Sequence, residues 1–412
     1  MQNKKTLVVI GGGAAGFFCA VNAARMCDDL KVIIIEKTGK LLSKVKVSGG
    51  GRCNVTHACF EIREMARKYP RGENFIRKTF HQFSTKDTIQ WFGERGVRLK
   101  DEPDGRMFPV SNSSQTIIDC LIEEADKYGV EILMHLQAGR IEKLNESWLL
   151  HTTKDQQIEA NYICIACGGY PKSSQFDWLK NLGHTVAEPV PSLFTFNLPG
   201  NPITKLTGIS VADAKVKIAG TKLAERAPLL ITHWGLSGPC ILRLSAWGAR
   251  TLEAKNYEFS ILINWIPAEN ESSLLEKFQA IRVESGSQKM VYKDSFGLPQ
   301  RLWEYLIFQS GITEKIRWAD LPAKEQKKLI SNLIAYECPV IGKTTFKEEF
   351  VTAGGIQLSE IEYNTMQSKI VPHVFFAGEI MDVDGVTGGF NFQHAWTSGF
   401  IAAKAISIIA SR

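Results

Sequence analysis

The order of apolar and polar positions divides the chain into blocks of different texture. "KTLVVIGG" is a short apolar run that predicts a strand, and "AAGFFCAVNAARMC" repeats its apolar residues at helical spacing. "KVIIIEK", rich in β-branched residues, predicts a second strand. Strand, helix and strand in this order form a βαβ unit with a parallel pair. Further on, "TIIDCLIEEADKYG" reads as an amphipathic helix, and "VEILMHLQAGRIEKLN", "SWLLHTT" and "QIEANYICIACGG" read as strands. The last of these ends on Gly168 and Gly169 directly after an apolar strand, as a chain does when it returns to a central sheet beside a ligand.

From about Glu188 the texture changes. Pro and Gly punctuate short alternating runs in "EPVPSLFTFNLPGNPITKLTGISVADAKVKIAG", which predicts a small all-β module. Residues 269–335 are rich in Lys, Glu, Leu and Ile; "SSLLEKFQAIR", "LPQRLWEYLIFQSG" and "AKEQKKLISNLIAY" predict helices. "TTFKEEFVTAGGIQL" returns to strand, and the tail runs from the strand "VFFAGE" through a glycine-rich turn into a long apolar helix. The boundaries expected are 1–190 for the first part of an α/β domain, 191–268 for the β module and 269–335 for a helical insert. The β module returns over 336–357, and the second part of the α/β domain is 358–412.

Composition narrows the class. The chain has 412 residues, 44% of them hydrophobic and 22% charged, the balance of a folded, enzyme-sized protein. No run approaches the ~18 apolar residues of a membrane span. The basic, apolar start imitates a leader, but "VVIGGG" reads better as a strand entering a phosphate turn, so the expected location is cytoplasmic. A net charge of +6 is modest for this size and the basic residues are spread out rather than clustered, which gives little support to a nucleic-acid partner; a small-molecule substrate is expected. Nine cysteines without zinc-type spacing suit reduced thiols. Cys164 and Cys167 are three apart on an extended strand, so they point to opposite faces and are poorly placed to bridge.

Gly11, Gly12, Gly13, Ala14, Ala15 and Gly16 satisfy G-x-G-x-x-G between a strand and a helix start. In such a turn the first Gly permits the bend, the second admits a pyrophosphate and the third lets helix and strand pack. Glu36 ends the second strand twenty residues later, where a carboxylate accepts hydrogen bonds from adenosine ribose. The tail supplies a second turn: "FFAGE", an acid in "IMDVDG" and a helix entered through "TGGFNFQHA". A second cofactor-binding turn suits the long flavin dinucleotide FAD better than a nicotinamide one. Asp382 or Glu379 would meet ribityl or pyrophosphate-side groups, and amides from Gly388 to Phe390 would face the flavin pyrimidine edge. "GKTTF" is no P-loop, because Glu337 stands where the first Gly belongs.

These segments, with "SGGGRCNVTH", "GRMFPVSNSSQTIIDCL", "THWGLSGPCILRLS" and "TAGGI", resemble the aminoacetone oxidase family of FAD-binding flavoproteins, the BaiN-like group of the glutathione-reductase-type superfamily. The resemblance spans residues 8–399. It implies an α/β, Rossmann-like FAD-binding domain, discontinuous in sequence and interrupted by a β-barrel-like module that is itself interrupted by a helical one. It also implies that Lys37 borders the ribose, that Gly51, Arg52, Cys53 and Asn54 line the flavin side, and that Ala138 offers backbone to the adenine. Gly378, Glu379, Asp382, Gly388, Gly389, Phe390 and Asn391 would complete the site. "CGGYPKSSQFDW" departs from the family pattern after Gly169.

The implied activity is two-electron transfer through non-covalent FAD. The family name suggests a small amine or carbonyl substrate. NAD(P)H-dependent reduction of hydrophobic ring compounds is the alternative, although no second G-x-G-x-x-G is present to hold NAD(P)H. A nucleic-acid-associated flavoprotein is a third reading, weakened by the lack of a compact basic patch. Cys53 and Cys59 are one residue further apart than the pair of a flavin disulfide reductase, so the loop reads as a flavin cradle. Arg52 would face phosphate or reduced flavin, or else form a surface salt bridge. His233 and His394 are acid/base candidates for which a structural role is the simpler account; His57 is less interpretable.

Overall fold

In the computed structural model, residues 4–292, 294–345 and 351–412 are described. The chain divides into two units, Met1–Ser192 with Lys347–Arg412, and Leu193–Phe346.

The first unit is organised by a five-stranded parallel sheet. Its order is Val374–Phe376, Tyr162–Ile165, Lys5–Ile10, Leu30–Glu36 and Glu131–Met134. Leu7 to Ile10, Val32 to Ile35 and Ile163 to Ile165 are buried, as the continuous apolar runs of a sheet covered on both faces require. Helix Ala14–Met26 lies against the long C-terminal helix Phe390–Ala410. At Gly399 a Cβ would fall 2.7 Å from Ala15 O, so only glycine permits this approach. Three short helices, Ile62–Ala66, Glu73–Thr79 and Thr85–Gly93, and a small antiparallel sheet of Thr56–His57, Arg106–Pro109 and Leu99–Asp101 fill a stretch the sequence left unassigned.

The second unit carries a seven-strand antiparallel order running from Tyr336–Ile341 to Lys343–Thr344. The first and last strands of that order are consecutive in sequence, joined at Gly342, so the sheet closes on itself as a barrel. Strand Tyr336–Ile341 alternates buried and exposed residues along its length, the period-2 signature of a barrel wall.

Four boundaries need correction. The first part of the α/β unit ends at Ser192, not 190, and its second part begins at 347, not 358. Strand Val351–Ile356, assigned by sequence to the returning β module, pairs antiparallel with Val186–Ser192 in the first unit. Gly354 and Gly355 explain why: a Cβ would fall 2.5 Å from Glu188 O and 2.4 Å from Ile380 O, so both are packed against that unit's backbone. The β module and helical insert are not separate, because Phe196, Ile241, Leu274, Trp303, Leu329 and Val340 share one core. Nor is the module all β: Pro239–Glu253 is a helix whose apolar face joins that core. The expected strand from Thr344 is described only to Thr345; 346–350 lie outside the described residues.

Candidate functional site

The carboxyl ends of strands Lys5–Ile10, Tyr162–Ile165 and Val374–Phe376 deliver three loops to one edge of the parallel sheet, where open α/β sheets bind ligands. Ala166 N–H donates to Ile10 O at 2.9 Å and Ala377 N–H to Ile165 O at 3.0 Å, which places the loops side by side. Gly11 has φ +117°, and its Cβ would fall 2.5 Å from Ala166 O; that of Gly16 would fall 1.9 Å from Gly11 O. Gly13 is different, since a Cβ there would meet nothing within 4 Å. Two glycines therefore close the turn and the third keeps its outer face open. Gly13 caps the helix without a side-chain partner, and Phe17 N–H to Gly13 O is the first intrahelical bond, so the amides of Ala14, Ala15 and Gly16 precede it. Uncapped amides at a helix start attract phosphate charge.

Glu36 is held by this turn. Its Oε2 accepts Gly12 N–H at 2.9 Å and its Oε1 accepts Thr38 N–H and hydroxyl, each at 2.8 Å. Lone pairs remain for ribose hydroxyls. Leu136 N–H donates to Glu36 O at 2.8 Å, and Ala138 begins the strand two residues on. The Lys37 ammonium lies 5.8 Å from the Tyr170 ring centre. Gly168 has φ +76° and an open Cβ face, whereas at Gly169 a Cβ would fall 2.6 Å from Thr352 Oγ1.

The loop after Ser48 turns through three left-handed glycines, Gly49, Gly50 and Gly51, at φ +59°, +70° and +84°. Gly50 and Gly51 face open space. Cys53 follows, left-handed at φ +61° and fully buried, with burial pushing its thiol up to about 12. All nine cysteines are free, and burial also raises the half-exposed Cys59, so neither of the pair is a reactive thiolate. Arg52 pairs with Glu102 at 2.6 Å and stacks 4.0 Å over Phe108. Its charge is thereby neutralised locally, which favours the salt-bridge alternative. Cys164 meets Cys19, whereas Cys167 meets Tyr170, so their side chains diverge.

The tail locks onto this loop. With its amide oriented to suit both neighbours, Asn54 donates to Thr56 O at 3.1 Å and accepts Gly389 N–H at 3.0 Å. His57 donates from Nδ1 to Gly388 O at 2.9 Å and stacks on Phe390 at 4.6 Å. Tyr69 donates its hydroxyl to Phe390 O at 2.6 Å. Gln393 N–H to Gly389 O is the first bond of the C-terminal helix, so the amides of Phe390, Asn391 and Phe392 precede it. The Asn391 side chain bonds both backbone groups of Gly385, at 2.8 and 2.9 Å, and so shapes the turn rather than facing a ligand.

Gly378 donates to Ser398 Oγ at 2.9 Å, while Glu379 accepts Thr352 N–H at 2.9 Å and pairs with Lys44 at 2.6 Å. Asp382 donates its N–H to Ile356 O at 3.0 Å. Its neighbour Asp384, which sequence reasoning passed over, is fully buried, pairs through both oxygens with Arg71 and accepts Ser192 Oγ–H at 2.7 Å. Lys44 and Arg71 carry no local motif, and Thr352 and Asp384 lie inside "TAGGI" and "IMDVDG" without being singled out there; only the fold assembles the four.

His394 is 3% exposed, and burial depresses its pKa to about 4, so it stays neutral and is no general acid near pH 7. His233 lies exposed in the second unit, its ring 4.4 Å from that of Trp234. The open faces at Gly13, Gly51 and Gly168, two uncapped helix starts and the Glu36 carboxylate fit a flavin dinucleotide. Among the described residues no helix is long and apolar enough to cross a membrane, and no cluster of His, Cys, Asp or Glu could hold a metal.

The family model described as HI0933-like protein Rossmann domain matches residues 5–405. The chain is 27% identical to a 3-dehydro-bile acid delta(4,6)-reductase of Clostridium scindens, over 96% of this chain and 98% of that one. It is 30% identical to a ribosomal RNA dihydrouridine synthase of Escherichia coli, over 96% of each. A 3-ketosteroid-delta4-(5alpha)-dehydrogenase structure from Rhodococcus jostii shares the fold, with a TM-score of 0.51, 13% identity and 98% of both chains covered.

Proposed function

The chain belongs to the HI0933-like Rossmann-domain family, and from that premise we propose an FAD-dependent oxidoreductase that reduces a ring carbon–carbon double bond conjugated to a carbonyl. The observation that carries the flavin half is the meeting of the Gly11–Gly16 turn, the Gly49–Asn54 loop and the Gly388–Asn391 helix entry in one glycine-lined site. The ring half draws on the relatives: a 3-dehydro-delta(4,6) bile acid and a uridine both present a C=C conjugated to C=O. This displaces the oxidation of a small amine as the leading reading.

Bound FAD supplies a two-electron carrier. The residues bind and orient it: Gly13 leaves room for the pyrophosphate, and Glu36 accepts ribose hydroxyls. The amides of Phe390 to Phe392 at the helix start favour negative charge beside them. Buried Cys53, Val55 and Phe390 exclude water from the loop interface. NAD(P)H is proposed as reductant, although the chain carries no fingerprint of its own for it. Nine free thiols suit a reducing compartment, and we place the protein in the cytoplasm.

A nucleobase substrate has one observation in its favour. Residues 193–346 hold 19 Lys and Arg against 14 Asp and Glu, so +5 of the chain's +6 lies in the second unit. The test is anaerobic: photoreduced protein is mixed separately with a steroid 4-en-3-one, a ribosomal RNA transcript and buffer, and recovery of the oxidised spectrum is followed. Recovery with either ring acceptor, at least about tenfold faster than with buffer, supports the reading. No recovery with either, together with bleaching of the oxidised protein by a small amine, overturns it.

A further inference from the structure

Three polar side chains of the first unit form a hydrogen-bonded chain that the cofactor site does not use. Ser368 Oγ lies 3.1 Å from His184 Nε2, and His184 Nδ1 lies 3.0 Å from Glu360 Oε2. Ser368 is 4% exposed and His184 3%. The backbone N–H groups of Ile370 and Val371 each donate to Ser368 Oγ at 3.0 Å, which occupies both lone pairs of that oxygen and leaves its hydroxyl proton for Nε2. Nε2 is therefore the acceptor, and the imidazole proton sits on Nδ1, facing the carboxylate. Glu360 also accepts Thr185 N–H, at 3.1 and 3.0 Å on its two oxygens. Serine, histidine and carboxylate stand in the order of a hydrolase triad, but a buried serine oxygen with both lone pairs engaged is no nucleophile.

The three residues fasten a strap to the parallel sheet. Residues 358–371 run between strands Val351–Ile356 and Val374–Phe376, and the second of these is an end strand of the five-stranded sheet. Ser368 N–H donates to Val374 O at 2.7 Å and Phe376 N–H to Met366 O at 2.9 Å, so the strap covers the outer side of that end strand. An uncovered edge of this kind offers its N–H and C=O groups to other chains. Met366, at the bend of the strap, has φ +61°, a conformation unfavourable for a residue with a Cβ, so the strap depends on its fastenings. The groups facing the His184 ring are Glu360 and Ser368 from the strap, Thr185 beside it in sequence and the Phe376 ring, 4.9 Å away; Lys369 turns its ammonium to Ser359 O at 3.0 Å. This arrangement admits one protonation state. A second proton on His184 would aim an Nε2–H at an oxygen that already accepts two N–H groups, and the serine hydroxyl would lose its acceptor.

We propose that His184 is the proton-sensitive fastening of an acid-opened strap: protonated from solvent at Nε2, it releases residues 358–371 and bares the edge of strand Val374–Phe376. The Glu360 side chain is 16% exposed and is the side of the network that solvent reaches. Burial lowers the His184 pKa below the ordinary 6.5, against the pull of Glu360. The fastening is therefore whole above 6.5 and is lost as pH falls through the folded value. Burial alone would raise the Glu360 pKa, but hydrogen bonds from Thr185 and His184 hold it below the usual range, so Glu360 is still a carboxylate when His184 takes its proton. The strap is independent of what the glycine-lined site binds.

Hydrogen exchange of the full chain, read by mass spectrometry from about pH 7.5 to about pH 5 and corrected for the intrinsic pH dependence of exchange, measures the opening directly. Peptides within 358–371 should open up to about tenfold more per pH unit below 6.5, while helix Phe390–Ala410 keeps its protection. His184→Phe keeps a ring against Phe376 and takes no proton. Its strap should open more readily at neutral pH and should not respond to acid. A variant that responds to acid as the parent does would assign the response to another group, such as His373, whose ring faces Tyr162, and would overturn the proposal. Unchanging protection of 358–371 in the parent, or a loss spread evenly over the first unit, would overturn it as well. The parent profile needs no variant to fold, so the test stands if His184→Phe does not.

Discussion

Gly389 donates its N–H to the side-chain oxygen of Asn54 at 3.0 Å, joining the end of the glycine loop near the N-terminus to the entry of the C-terminal helix. Trp396 reinforces this clamp by donating to Val55 O at 2.9 Å, and Thr56 does so by donating to Gln393 at 2.6 Å. Two distant segments thus become one wall of the site.

Gly389→Ala should open that wall. The residue sits at φ +93°, and a Cβ would fall 2.4 Å from Thr56 O, so backbone must move. A destabilisation of about 1–3 kcal/mol is expected, with FAD lost on gel filtration. Urea unfolding and the absorbance of the eluted protein measure both effects. Parent-like stability with full flavin content would contradict the clamp.

Glu36→Gln keeps the shape at the first turn and removes the charge that accepts hydrogen bonds from Gly12, Thr38 and a ribose. Charge-assisted bonds are about twice as strong as neutral ones, so FAD should bind about tenfold more weakly. Fluorescence titration of apoprotein gives the constant; an unchanged value would remove Glu36 from the site.

Arg71→Met should strand the fully buried Asp384 carboxylate and cost about 3–5 kcal/mol at neutral pH. Burial raises the Asp384 pKa while Arg71 opposes the rise. Without Arg71 the folded state favours the protonated acid. The deficit should then be smallest below the ordinary carboxylate range and grow as pH rises through the folded value. Unfolding curves at several pH values test this, and a pH-independent deficit would refute it.

His394 gives the opposite sign. Its folded pKa, about 4, lies below the ordinary 6.5, so its contribution is complete above 6.5 and is lost as pH falls toward 4. In apoprotein, His394→Gln should flatten the stability profile across that window by up to about 1.4 kcal/mol per pH unit. Superimposable profiles for parent and variant would show that the histidine is not held neutral.

Cys59→Ser should retain FAD and turnover, because Cys59 and Cys53 are both free and neither thiol is acidified. Loss of turnover with flavin still bound would revive a redox role for the pair.

Much of the first unit was legible because its signals are local. The strand ending at Ile10, the Gly11–Gly16 turn and Glu36 lie within one βαβ unit, where periodicity and glycine spacing state the geometry directly. The helix Pro239–Glu253 was hidden because it lies among Gly- and Pro-punctuated strands, and its apolar face is legible only against the barrel core. Asp384 was passed over for Asp382 because two acids two residues apart look alike until Arg71 selects one. The role of Thr352, which opens "TAGGI", was hidden for a related reason: its N–H serves Glu379, a contact that sequence spacing does not reveal.

The central claim is that the glycine-lined site holds FAD for redox chemistry. Its most direct test is to purify the full chain, saturate it with FAD, remove the excess, and identify and count the cofactor released on denaturation. About one FAD per chain, with a flavin spectrum perturbed while bound, is the predicted result. A colourless chain that neither carries nor takes up FAD would contradict the account.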